Sequence, residues 1–169
     1  MPNKIVLLLS GLILFIAVAA YVHAASPAKP TAPAPIQAVM TPYLQIHDAL
    51  AKDSLDGVAA AATTLSKAAL DNKIFPTELS QQAQALAQAK DLDSARAAFK
   101  PLSDTLIKVL ADNNASDSYT EAYCPMVKAY WLQTGTTVSN PFGSSMATCG
   151  SIIHGKSTPS TFMQGGCCN

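Results

Sequence analysis

Asp91-Leu92-Asp93-Ser94-Ala95-Arg96-Ala97-Ala98-Phe99-Lys100-Pro101-Leu102-Ser103-Asp104-Thr105-Leu106-Ile107-Lys108-Val109 is the stretch whose reading decides the fold of this chain. Leu92, Ala95, Phe99, Leu102, Leu106 and Val109 recur at alternating steps of three and four. That rhythm lays one apolar stripe along a helix of about five turns, as a bundle seam requires. Asp91 stands where an N-cap is wanted. Pro101 lies inside the run and is expected to kink the helix or divide it at Lys100.

The same rhythm appears upstream. Val39, Tyr43, Ile46 and Leu50 share one face of a helix beginning at Ile36. Asp53 and Ser54 break that run and are read as caps for a second helix carrying Leu55, Val58, Ala62, Leu65 and Ala69. Asn72 and Pro76 bound the next loop, and Thr77 is the expected cap of a third helix. In that helix Leu79, Ala83 and Leu86 face inward, while Gln81, Gln82, Gln84 and Gln88 face mostly outward. Four such segments with short connections predict an antiparallel four-helix bundle, an all-α class. His47 sits one position off the apolar face and is expected at the surface or its boundary, not as a ligand.

After Asp112-Asn113-Asn114 the texture changes to aromatic, glycine and β-branched residues. Tyr130-Trp131-Leu132 and Thr136-Thr137-Val138 flank Thr134-Gly135, which predicts a small hairpin. Asn140-Pro141-Phe142-Gly143 is a turn signal. Ser144 or Ser145 then caps a short expected helix that would place Met146 and Cys149 on one face.

Composition sets further bounds. Of 169 residues, Lys plus Arg and Asp plus Glu number 11 each, so no net field draws the chain to nucleic acid or an acidic membrane. Lys4 followed by the apolar run Ile5 to Ala20 and by Val22-His23-Ala24 reads as a signal peptide over 1–25, cut after Ala24 or Ala25. The alternative is an uncleaved N-terminal anchor in the inner membrane. Either way the domain is exported. Residues 26–35 are a Pro/Ala-rich spacer, 36–155 the helical domain, and 156–169 a flexible tail ending in Cys167-Cys168-Asn169.

All four cysteines follow residue 123. Cys124 and Met126 flank Pro125, and in an extended segment their side chains start on one side. Met146 and Cys149 return on the far side of the turn. Thiolate and thioether are soft donors that suit Cu(I) or Ag(I) better than zinc or hard cations. Cys124, Met126, Met146 and Cys149 therefore form a candidate metal site. An equally economical reading joins Cys124 and Cys149 in a structural disulfide, with both methionines as packing. His154, Met163, Cys167 and Cys168 are outlying soft donors or an unstructured, oxidisable end. No nucleophile elbow, phosphate-binding glycine loop, His-Glu-x-x-His or Cys-x-x-Cys is present, so no enzymatic role and no small-molecule substrate is indicated.

The segment Tyr123-Cys124-Pro125-Met126, Trp131-Leu132, Asn140-Pro141-Phe142-Gly143, Met146, Cys149-Gly150 resembles the DUF3347 family, a domain of unknown function. Tyr43-Leu44, Asp48-Ala49-Leu50-Ala51, Ala95-Arg96, Phe99 and Leu102-Ser103 are similar to its helical body. The resemblance, taken from Val39 to Ile153, implies an α-helical periplasmic domain tied to copper or silver efflux. It also implies a partner among the periplasmic adaptor subunits or other components of such a system. The function expected is therefore Cu(I)/Ag(I) binding for buffering or hand-off to an efflux system. The alternative is a non-metal envelope interaction module held by a Cys124–Cys149 disulfide.

Overall fold

A computed structural model describes residues 31–153. The proposed signal peptide, the first part of the spacer, His154, Met163 and the Cys167-Cys168 tail lie outside the described residues.

Four helices lead: α1 Ala34–Ala51, α2 Val58–Leu70, α3 Thr77–Ala87 and α4 Leu92–Asp112. Each packs on the next, and α1 also meets α4. The predicted stripes are the buried faces: Val39, Tyr43, Ile46 and Leu50 on α1, Val58, Ala62, Leu65 and Ala69 on α2, and Leu79, Ala83 and Leu86 on α3. On α4 Ala95, Phe99, Leu102, Leu106 and Val109 go inside. Burial of this apolar set is what holds short helices that would be marginal alone.

The all-α expectation is inexact. A three-stranded antiparallel sheet follows the helices, formed by β1 Thr120–Cys124, β2 Ala129–Gln133 and β3 Ser151–Ile153 in the order β2-β1-β3. β2 packs on α4 and touches α1. The predicted hairpin had the right strand and the wrong partner. Tyr130-Trp131-Leu132 does lie in a strand, but it pairs with the preceding β1 through Pro125–Lys128, with Ala122 opposite Trp131 and Cys124 opposite Ala129. Thr136–Val138 is not a strand, because the buried Gln133 side chain takes over its backbone. Gln133 Nε2 donates to Thr137 O at 2.6 Å, and Gln133 Oε1 accepts from Ser139 N and Trp131 Nε1, both at 3.0 Å.

Other local expectations shift by a residue or a turn. The N-cap of α2 is Gly57, at φ 76°, rather than Asp53 or Ser54. Asp53 instead adopts φ 53° in the loop. Pro76 precedes α3, and Thr77 is its first helical residue. α1 begins at Ala34, so Pro35 opens a helix instead of closing an extended spacer. α4 is not divided at Pro101. Phe99 before the proline and Leu102, Ser103 and Leu106 after it are all fully buried, and that packing outweighs the lost backbone bond. Asp91 does cap α4, in a reciprocal box with Ser94, and the Ser94 N–H holds the Asp91 carboxyl below its usual range.

Candidate functional site

Helices and sheet are joined through one buried phenol. Tyr43 of α1 stacks on Phe99 of α4 at 4.9 Å between ring centroids. Its hydroxyl lies 2.8 Å from Ser103 Oγ and accepts from Leu132 N of β2 at 3.0 Å. Three elements meet there with their polar atoms paired, as a dry core requires. Burial raises the Tyr43 hydroxyl far above an ordinary phenol. Phe99 then meets Phe142 at 6.2 Å, and Phe142 meets Trp131 edge-on at 6.1 Å. This chain of rings seats the Asn140-Pro141-Phe142-Gly143 turn on the helices.

The turn is held within itself by Asn140, which is wholly buried. Its Oδ1 accepts from Phe142 N at 2.8 Å, and its Nδ2 donates to Cys149 O at 2.9 Å. Gly150 adopts φ 131°, and a Cβ there would stand 2.8 Å from Tyr123 O and 3.0 Å from Trp131 Cη2. Only glycine lets the returning chain pass that close to β1. The return brings Cys149 against Cys124: both are buried, and their sulfurs face each other at 2.9 Å.

The four predicted donors are thus treated unequally. Cys124 and Cys149 are brought together from positions 25 apart. Met126 is 65% exposed, in the turn between β1 and β2. The same-side rule for Cys124 and Met126 fails because the strand ends at Cys124 and the chain turns at Pro125. Met146 is half-buried and closes a single 3₁₀ turn, Ser144–Met146. Cys149 lies beyond that turn and is buried, so the shared helical face expected for the two is not formed. Among the described residues no group of three or more His, Cys, Asp and Glu side chains is placed to hold a metal.

Sequence reasoning missed the polar clamps around this segment. His47 is buried, not at the surface. Its Nε2 reaches Ser139 O and its Nδ1 reaches Asp48 Oδ1, each at 2.9 Å, so both ring nitrogens are engaged. Arg96 of α4 donates from Nε to Pro141 O at 2.9 Å and from Nη2 to Leu50 O at 3.0 Å. It also pairs with Asp53. Asp53 in turn accepts from Ser144 N at 3.2 Å, and the bonds from Ser144 and Arg96 hold its carboxyl below the usual range. One turn further along α4, Lys100 Nζ donates to Val127 O at 3.2 Å. A cation pair at i and i+4 beside a bundle seam is the only sequence trace of this arrangement. On the sheet, burial raises the Glu121 carboxyl.

No helix among the described residues is long and apolar enough to cross a membrane. No curated protein and no solved structure matches the chain. A family model described as protein of unknown function (DUF3347) matches residues 39–118. That span runs from the first turns of α1 to the end of the short 3₁₀ turn Ser116–Ser118, and it stops before Cys124, Met126, Met146 and Cys149. Over its helical body, the chain resembles the DUF3347 family.

Proposed function

We propose that this is an exported soft-metal-binding protein that takes Cu(I) or Ag(I) as cargo, with Cys124 and Cys149 as the central donors and Met126 and Met146 as thioether partners. The observation that carries the reading is the meeting of two buried cysteine sulfurs beneath a turn whose methionine is exposed. Thiolate and thioether are both soft donors that select Cu(I) over hard cations. The helices, arranged as an antiparallel four-helix bundle, act as the scaffold for this site. The apolar run Ile5 to Ala20 with its small-residue end supports delivery to the periplasm. There the protein buffers the ion or passes it to a component of a heavy-metal efflux system.

The donor types fit the ion, while the present spacing does not. Two thiolates on one tetrahedral ion at about 2.3 Å each stand roughly 3.8 Å apart, against 2.9 Å between these sulfurs. An ion held by both thiolates would require the two sulfurs to move apart. That same closeness favours a second reading, in which an oxidising compartment closes Cys124 and Cys149 into a disulfide that maintains a docking surface for an envelope partner.

Intact mass of protein taken from its native compartment, with and without thiol alkylation, separates the two. Alkylatable Cys124 and Cys149 support the metal reading. Quantitative recovery of a Cys124–Cys149 bond supports the second reading and counts against a resident metal.

A further inference from the structure

Pairing of Tyr123 with Ser151 brings β3 beside β1, but Cys149 precedes β3 and lies in a segment with no regular structure of its own. Its own backbone bonds are local, from Cys149 N to Met146 O at 2.8 Å and from Asn140 N to Ala147 O at 2.9 Å, and side chains add ties to the rest of the fold. Asn140 ties the two ends of that segment to each other, through Cys149 O. It does not tie the segment to the helices. His47 at Ser139 O and Phe99 against Phe142 tie it there, and Arg96 adds the polar clamp, holding Pro141 O and Leu50 O while pairing with Asp53, which holds Ser144 N. Both ends of this clamp, Arg96 on α4 and Asp53 after α1, belong to the helical body. Lys100 of the same helix holds Val127 O, three residues past Cys124.

We infer that Arg96, with Asp53, is a positioning residue for the cysteine pair: it locks the Pro141–Ser144 turn to the helices and so sets how closely Cys149 is held against Cys124. The guanidinium suits the task because its planar fork serves two carbonyls and a carboxylate at once, which an ammonium on a flexible stem does not. Arg96 touches neither sulfur. The inference rests on the reading that this pair is the working centre, but its test uses no metal.

The measurement is the equilibrium of the pair with glutathione in the full chain carrying Cys167→Ser and Cys168→Ser. The two thiols and one oxidised glutathione give the Cys124–Cys149 disulfide and two reduced glutathiones, so atoms and electrons balance. The equilibrium constant is the effective concentration of one thiol at the other. Arg96→Ala is expected to lower it by about tenfold and Arg96→Lys by less, with helical circular dichroism retained. Asp53→Asn, a mild change at an exposed loop, is expected to move it in the same direction. Leu79→Val, a core change on α3 away from the site, lowers stability and leaves the constant unchanged. A constant within about twofold of the parent in both Arg96→Ala and Asp53→Asn would overturn the inference, and so would an equal shift in Leu79→Val. Failure of Cu(I) binding with these shifts intact would instead sink the metal reading alone.

Discussion

The helical body and the segment after Tyr119 are built on different terms. In the body each helix follows from a local rhythm of apolar residues, with polar side chains capping ends, as Asp91 and Ser94 do at α4, and a few buried pairs such as Ser66–Ser80 between helices. In the later segment little is local. Trp131, Phe142, Gln133, Asn140 and Gly150 each have a role only because of a residue far away or across a turn. The body owes its shape to burial in bulk, whereas the cysteine segment owes its shape to a few specific contacts. A site that must hold two sulfurs at a set distance needs the second kind of construction.

That contrast can be broken most forcefully at Trp131, which is fully buried under Phe142 and Gly150. Trp131→Ala should cost about 3–5 kcal/mol by denaturant unfolding, and should raise the alkylation rate of Cys124 and Cys149 while α-helical signal persists. Equal loss of helical signal at the same denaturant concentration as thiol exposure would show the two regions to be one cooperative unit. Tyr43→Phe tests the joint between them. It keeps the ring stack and removes the acceptor for Leu132 N, leaving that buried donor unpaired at a cost of about 1–3 kcal/mol. A stability equal to the parent's would mean water or another acceptor replaces the phenol.

The smallest effect is expected from acid. Asp91 and Asp53 both have folded-state carboxyls below the ordinary value of 3.8, the first through the Ser94 N–H, the second through Ser144 and then Arg96. Each therefore contributes stability that is present above about pH 4 and is lost as pH falls through the lowered folded value. Asp91→Ala should flatten this acid limb while leaving cysteine reactivity unchanged. Asp53→Asn should flatten it and also loosen the cysteine segment. Identical cysteine reactivity in the two variants would erase the distinction drawn between body and segment.

Legibility in the sequence follows the same line. The stripes on α1, α2, α3 and α4 were readable because a 3.6-residue period is a property of neighbours along the chain. The continuity of α4 through Pro101 was not, since it depends on what Phe99, Leu102 and Leu106 bury against. Tyr130-Trp131-Leu132 could be read as a strand, but its partner could not, because Gln133 satisfies Thr137 and Ser139 with a side chain that leaves no periodic trace. Of the proposed donors, the meeting of Cys124 and Cys149 was foreseeable as one option among two. The exposure of Met126 was not, because it hinges on where β1 stops. Asp53 reads in the sequence as a helix cap, and Arg96 carries no reading of its own beyond its place in the α4 stretch. Their reach to Pro141 and Ser144 spans positions more than forty apart in the chain.

Whether the Cys124–Cys149 pair holds a soft ion, as proposed, is decided by a Cu(I) competition titration against a calibrated chelator. Fully reduced protein with Cys167→Ser and Cys168→Ser is compared with the same protein carrying Cys124→Ser, Met126→Leu or Met146→Leu. The expected result is Cu(I) binding that is abolished by Cys124→Ser and weakened by about tenfold by either methionine change. Binding that survives Cys124→Ser unchanged would contradict it.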